Sequence, residues 1–350
     1  MKSSSPTWDI IISGAGIIGV SLALELHEQG QRVLVLDSGD PGREASSAAA
    51  GMLAAADPET PSALRPLATA SAQMFPGYVQ KLEAAAHIHV DFRRLGAIAL
   101  LQEPSAPHEY KSLSPNDLQR LEPSLHQQGL SAFFIEEDSV DPQLLMQAAL
   151  SAAQNLGIEV RGHSAVKDIR ARDGKVKVST DAGQFITRSV VNCQGAWAGA
   201  PVRPRKGQML YVQPQANVLQ HVLRTPEIYI VPRSTGKILV GATVEDVGFD
   251  KSVQASTIHN LLGAAVKYVP ELAAAPITQS WAGLRPGTPD DLPILGPIDI
   301  PGAFVASGHF RNGILLAPVT ARIMADLIEG HASPFDISSF SPARFSLKPL

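Results

Sequence analysis

Hydrophobic positions are most regular near the start of the chain, in DIIISGAGIIGVSLALELHEQGQRVLVLD (residues 9–37). Three consecutive isoleucines at 10–12 predict a short buried strand. Val20, Leu22, Ala23, Leu24 and Leu26 then recur at helical spacing up to Gly30, and Val33–Leu36 predict a second buried strand. Strand, glycine turn, helix and strand together predict a βαβ unit. Helical spacing returns over residues 71–86, over 143–156 with Gly157 as the stop, and over 256–269. LSPNDLQRLEPSL (113–125) predicts a short capped helix between prolines. In AFVASGHFRNGILLAPVTARIMADLIEG, a strand enters a glycine turn and an amphipathic helix leaves it.

Between these segments the period is two. FRRLGAIALLQ (92–102) predicts paired strands. Residues 158–193 predict a small meander with turns at RDGK and DAGQ, returning to a buried strand at 189–193. GQMLYVQ, EIYIVPR and KILVGAT predict further strands. REASSAAAGMLAAA (43–56) is so rich in small residues that it predicts a close-packed turn and helix start. WAGLRPGTPDDLPILG (281–296) predicts a rigid apolar turn that holds one arginine, Arg285. From about residue 332 the pattern loosens, which predicts a peripheral tail.

These pieces predict a mixed α/β architecture. A discontinuous Rossmann-like nucleotide-binding domain (1–86, 140–204 and 281–350) is interwoven with a mostly antiparallel β substrate-binding domain (87–139 and 205–280). The length of 350 residues suits two domains. A net charge of −4 without a long basic block argues against nucleic acid or an anionic membrane as partner. The single cysteine, Cys193, excludes an internal disulfide and fits a reducing compartment. No cleavable signal and no membrane-length apolar run are visible, so a cytoplasmic protein is expected. No cluster has metal-ligand spacing, and no G-x-S-x-G elbow occurs.

Gly14, Gly16 and Gly19 form G-x-G-x-x-G between the first strand and helix. The first glycine allows the tight turn, the second lets backbone approach a pyrophosphate, and the third lets helix pack on strand. The free N–H groups of the helix start favour phosphate. Asp37 ends the next strand about 20 residues on, which suits ribose hydroxyls. NAD and FAD share this fingerprint. The nucleotide-domain pattern resumes only near residues 143–195 and 303–329, a broken layout typical of flavoproteins.

The segments DIIISGAGIIGVSLALELHEQGQRVLVLD, SSAAAGML, VVNCQGAWAG, WAGLRPGTPDDLPILG and GHFRNGILLAPVTA together resemble the D-amino-acid-oxidase family of FAD enzymes, most closely its bacterial glycine oxidases of thiazole (thiamine) biosynthesis. The resemblance runs from about residue 9 to 330. It implies non-covalent FAD, since the related sarcosine oxidases tether flavin through a cysteine near the C-terminus and none is present there. Gly14, Ala15, Gly16, Ile17, Ile18 and Gly19 would cradle the pyrophosphate, Asp37 would hold the adenosine ribose, and Ser38 would also contact the cofactor. Arg43, Ser46, Ser47, Ala50, Gly51 and Met52 would line the cofactor. Val166 would lie at the adenine and Gly195 at a strand end near the flavin. Gly308, Arg311, Asn312, Gly313, Ile314 and Leu315 would wrap the pyrimidine side.

The resemblance also makes Arg285 the carboxylate-binding residue, since a planar guanidinium can hold a carboxylate through two parallel hydrogen bonds. Tyr229 would add its hydroxyl, and Arg311 would stand at the cofactor end of the pocket. Met52, Val244 and Glu227 would form its walls. The residues alone leave other readings open. Arg285 could bridge to Asp290 or Asp291, Tyr229 could be a core tyrosine, and Arg311 could pair with an acid. His309 reads as a turn histidine bonded to backbone, and Met52 and Cys193 read as packing.

The implied reaction is FAD-dependent oxidation of glycine, sarcosine or small D-amino acids by hydride transfer to flavin N5. It gives oxoacid (glyoxylate from glycine), ammonia and, with molecular oxygen, hydrogen peroxide. A thiazole-forming enzyme is an implied partner, and a homo-oligomer (dimer or tetramer) the expected assembly. The alternatives are a D-amino-acid dehydrogenase with a quinone or carrier acceptor, an oxidase of a bulkier secondary amine such as D-proline, and a non-catalytic FAD-binding protein.

Overall fold

A computed structural model describes residues 8–103, 106–107 and 109–345. The predicted βαβ unit is present: Trp8–Ser13 and Val33–Leu36 pair in parallel, joined by the helix Ile17–Glu28. Glu159–Arg161 extends this sheet on one side, and Gly183–Asn192 followed by Ala303–Ser307 extends it on the other, all parallel. Ile10 and Ile12 face a helical layer that contains Leu22, Phe75, Leu145 and Met324, while Ile11 faces the opposite layer with Ile169 and Val178. Burial on both faces is why the strand reads as unbroken isoleucine instead of alternating. The covering helices are Ile17–Glu28, Arg65–Ala86, Pro142–Asn155 and Ala317–Ile328. The predicted meander continues the sheet: Val166–Arg172 and Lys175–Thr180 pair antiparallel beyond Gly183–Asn192, and their Ile169, Val176 and Val178 pack with Ile11.

A second sheet has eight strands, ordered Ile277–Gly287, Arg203–Val212, Ile238–Gly241, Tyr229–Pro232, Val222–Arg224, Ala97–Leu101, Ser131–Ile135 and Lys111–Ser112. Its pairings are antiparallel except where Val222–Arg224 meets Ala97–Leu101. One face packs against the helices Pro115–Leu121 and Ala255–Tyr268 through Leu118, Leu210, Ile230 and Leu261. The other turns Ala99, Met209, Tyr229 and Trp281 toward the first sheet. Three short strands, Met52–Leu53, Asp138–Val140 and Phe92–Arg93, form a small bridging sheet.

Five expectations need correction. Residues 92–102 do hold two strands, but Phe92–Arg93 and Ala97–Leu101 pair with different partners in different sheets. The helix expected at 71–86 begins at Arg65 and runs through Pro76. Arg285 sits in no turn: it lies in the eleven-residue strand Ile277–Gly287, paired with Arg203–Val212. Residues 281–287, expected in the nucleotide-binding part, thus belong to the second sheet. The tail is only partly peripheral, because Phe340 is buried in the core of the first layer. Among the described residues, no helix is long and apolar enough to cross a membrane.

Candidate functional site: a cavity between the two sheets

A cavity of about 840 Å³ runs from the glycine loop to the inner face of the second sheet. At the nucleotide end, Gly14 has φ +111°, and a Cβ there would stand 2.3 Å from the Cys193 carbonyl oxygen. A Cβ on Gly19 would stand 2.0 Å from the Gly14 carbonyl oxygen. Both positions exclude a side chain, which leaves the helix N-terminus open to the cavity. No acid occupies the first helical turn. The Asp37 carboxylate accepts the N–H groups of Ala15, at 2.7 Å, and Gly39, at 2.9 Å. It thereby ties the end of the second strand to the glycine loop.

The small-residue segment explains itself by contact. Its turn Ala45–Ala48 puts Ser46 against the helix start, where the hydroxyl accepts the Ile17 N–H at 2.9 Å. Ala48 packs so closely on Gly283 that a Cβ there would lie 2.6 Å from the Ala48 Cβ. The Trp281 indole N–H donates to the Ala48 carbonyl at 3.1 Å. Gly51 follows at φ +79°, with the Val140 carbonyl 1.9 Å from where a Cβ would be. Arg233, 2% exposed, donates to the carbonyls of Ala50 at 2.7 Å and Val140 at 3.0 Å, and to the Tyr211 hydroxyl at 3.2 Å. Sequence reasoning missed Arg233. A charge closing an apolar strand, YIVPR, was the available signal, and nothing in the sequence showed which carbonyls it would reach.

On the second sheet, Tyr229 and Arg285 converge. The Tyr229 hydroxyl donates to the Met209 sulfur at 3.5 Å. Burial pushes its phenol up, opposed by the Arg285 charge and more weakly by Arg311 and Arg233. The Arg285 guanidinium lies against Gly207 on the adjacent strand, where a Cβ would be 2.2 Å from Nη1. It donates to the Thr243 carbonyl at 3.1 Å. A Cβ on Gly241 would meet the Tyr229 ring at 2.8 Å. Gly207 and Gly241 were also missed, although a glycine inside a strand pattern is itself a sign of close approach.

The open readings of the charged residues now resolve. Asp290 is held by Arg344 at 2.8 Å, and Asp291 turns the chain at φ 56°, so neither neutralises Arg285. Arg311 lines the cavity but pairs with Glu59, both exposed. Such an exposed pair opens readily, being worth about 0–1 kcal/mol. His309 bonds a side chain and not backbone: Nε2 lies 3.1 Å from the Thr320 hydroxyl. Burial pushes its pKa down to about 3, so it stays neutral. Cys193 is buried, and burial pushes its thiol up.

A protein-family model described as FAD dependent oxidoreductase matches residues 9–327. This chain belongs to that family. The FAD-dependent oxidoreductase chain is 37% identical over 361 residues to the bifunctional protein ThiO/ThiG of Trichormus variabilis, covering 97% of this chain and 55% of that one. It thus spans about half the length of that relative. It is 31% identical to the hydrogen cyanide synthase subunit HcnC of Pseudomonas aeruginosa, covering 98% of this chain and 97% of the other. The crystal structure of glycine oxidase from Geobacillus kaustophilus superposes with a TM-score of 0.92 at 33% identity, covering 97% of this chain and 100% of that one.

The cavity suits FAD. Its glycine loop excludes side chains where phosphates would lie, and its length continues past the loop to the wall that carries Tyr229. Gly14, Gly16, Ile17, Ile18, Asp37, Ser38, Arg43, Ser46, Ala50, Gly51 and Met52 all line it. So do Val166, Gly195, Arg311, Asn312, Gly313 and Ile314, together with Tyr229, Arg285, Val244 and Glu227. Five expected residues do not. Ala15 and Gly19 are buried inside the glycine turn, and Ser47 donates to the Gly42 carbonyl. A Cβ on Gly308 would meet Thr288 at 2.6 Å. Leu315 is core, with its carbonyl accepting from the Ser71 hydroxyl at 2.6 Å. These five shape the backbone behind the wall. Glu227, at the rim, is exposed and paired with Lys267 at 3.2 Å.

Proposed function

We propose that this chain is an FAD-dependent amine oxidase of the glycine oxidase type. Arg285 carries the reading. It is a half-buried guanidinium on a cavity wall, with no acid within 4 Å among the described residues. A permanently charged group in that position is suited to an incoming carboxylate, which its planar edge can hold through two hydrogen bonds. Tyr229 stands beside it, kept protonated by burial, and can donate to the same carboxylate. That hold would fix the α-carbon inside the cavity, which is the proximity part of catalysis. When bound, FAD supplies the hydride acceptor at N5. His309 is neutral and engaged with Thr320, and no acid lies within 4 Å of Arg285 among the described residues, which agrees with a reaction that starts from the neutral amine. Glycine, oxygen and water would give glyoxylate, ammonia and hydrogen peroxide.

The site residues are proposed in these roles, within the two-part division read from the sequence and with residues 281–287 moved to the substrate-binding part. A place in thiazole formation is supported by the ThiO/ThiG relative. The test is a panel of glycine, sarcosine, D-alanine and D-proline on purified yellow protein, with peroxide measured in air and flavin bleaching measured without it. Bleaching with peroxide formation is expected for at least glycine or sarcosine. Bleaching in air-free mixing but no peroxide in air would point to a carrier-linked dehydrogenase. No bleaching by any amine would overturn the reading.

A further inference from the structure

Arg205 stands directly opposite Arg285 in the antiparallel register of Arg203–Val212 with Ile277–Gly287. Like charges in that relation destabilise a sheet. The surrounding cations all have acids: Arg203 with Asp246 at 3.4 Å, Lys206 with Asp250 at 3.3 Å, Arg344 with Asp290, and Arg311 with Glu59. Arg205 and Arg285 have none within 4 Å among the described residues. Arg205 is half-buried, and its Nε is buried without an acceptor.

Its position is nonetheless defined. The guanidinium carbon lies 5.5 Å from the centre of the Phe310 ring, and that of Arg311 lies 5.4 Å from it. Phe310 lines the cavity at φ 46°, and its ring meets both the Arg205 and the Arg311 guanidinium groups. Gly287 makes room for the stem, since a Cβ there would come within 2.7 Å of the Arg205 Cγ.

We propose that Arg205 is a positioning residue for anion binding. Its uncompensated charge, held against Phe310 beside Arg285, raises the affinity of this wall for a carboxylate, and its stacking fixes the turn Phe310–Asn312. The inference rests on the reading that Arg285 meets the substrate's carboxylate. A unit charge one strand away is worth about ten-fold in anion affinity at an effective dielectric of about 20.

The test is titration of the FAD-bound protein with acetate, followed by flavin absorbance, for wild type, Arg205→Met and Arg205→Lys. The Met variant is expected to raise the acetate Kd about ten-fold and to place its loss on the KM for glycine more than on kcat. It is expected to keep or raise Tm, because the like-charge opposition is relieved. The Lys variant should keep the Kd within about three-fold, since it keeps the charge. Arg205→Gln, of similar length and uncharged, should match Met if the Met variant fails to fold. An unchanged Kd in the Met or Gln variant, or a Lys variant as weak as Met, overturns the inference. If wild type binds no acetate and no amine bleaches its flavin, the oxidase reading itself fails and this inference falls with it.

Discussion

The guanidinium of Arg285 rests on a bare stretch of backbone, and that dependence is testable. A methyl group at Gly207 would lie 2.2 Å from Arg285 Nη1, so Gly207→Ala must displace the charge. We predict a rise of about ten-fold or more in the KM for glycine, with FAD still bound, since a misplaced clamp loses orientation. Steady-state kinetics on yellow protein checks it. His309 gives a pH prediction. An unfolded imidazole protonates near pH 6.5, whereas burial pushes the folded pKa down to about 3. Between these values the unfolded chain binds the extra proton, so stability should fall as pH drops from about 6.5 toward 3. His309→Asn should flatten that slope in a Tm series, and an equal slope in both proteins would refute the assignment. The resemblance pointed to Arg285 and Tyr229, and both line the cavity. Gly207 and Gly241 were not legible, because only the strand register reveals which side chain each must accommodate.

The segment around Ala50–Met52 joins the first layer to the second sheet, and Arg233 holds it. Arg233→Met would leave two backbone carbonyls without their donor and Asp141, 3.8 Å away, without its cation. The loss should be about 2–4 kcal/mol, seen as a lower Tm and faster release of FAD. Normal FAD retention with a lowered Tm would mean that Arg233 supports the fold and not the cofactor loop. Elements with strong periodicity were legible nearly to their ends, as in Val33–Leu36 and Pro142–Asn155. The short strands Ser131–Ile135 and Val222–Arg224 were not, since each is defined by its pairing with Ala97–Leu101 and not by a pattern of its own. The strand at 277–287 was misread because Gly283, Pro286 and Gly287 look like turn residues. In place Gly283 makes room for Ala48 and Gly287 for Arg205, which a linear pattern cannot show.

At the scale of the molecule, the two sheets divide the work. The parallel sheet presents the glycine loop and helix N-terminus, legible from the first motif. The antiparallel sheet presents Arg285 and Tyr229, and the two layers meet closely at the cavity wall where Ala48 packs on Gly283. The discontinuous layout was visible as interrupted βαβ patterning, whereas the strand order of the second sheet was not, because it brings together residues as distant as 101 and 277. If this division is right, cofactor and substrate binding must separate in a variant confined to the second sheet. Arg285→Met in the FAD-bound protein is the most direct measurement. We predict an unchanged FAD content and flavin spectrum, with a rise of at least about a hundred-fold in the KM for glycine, the order expected for loss of a charge-assisted bidentate pair. A KM for glycine equal to that of wild type would contradict the account.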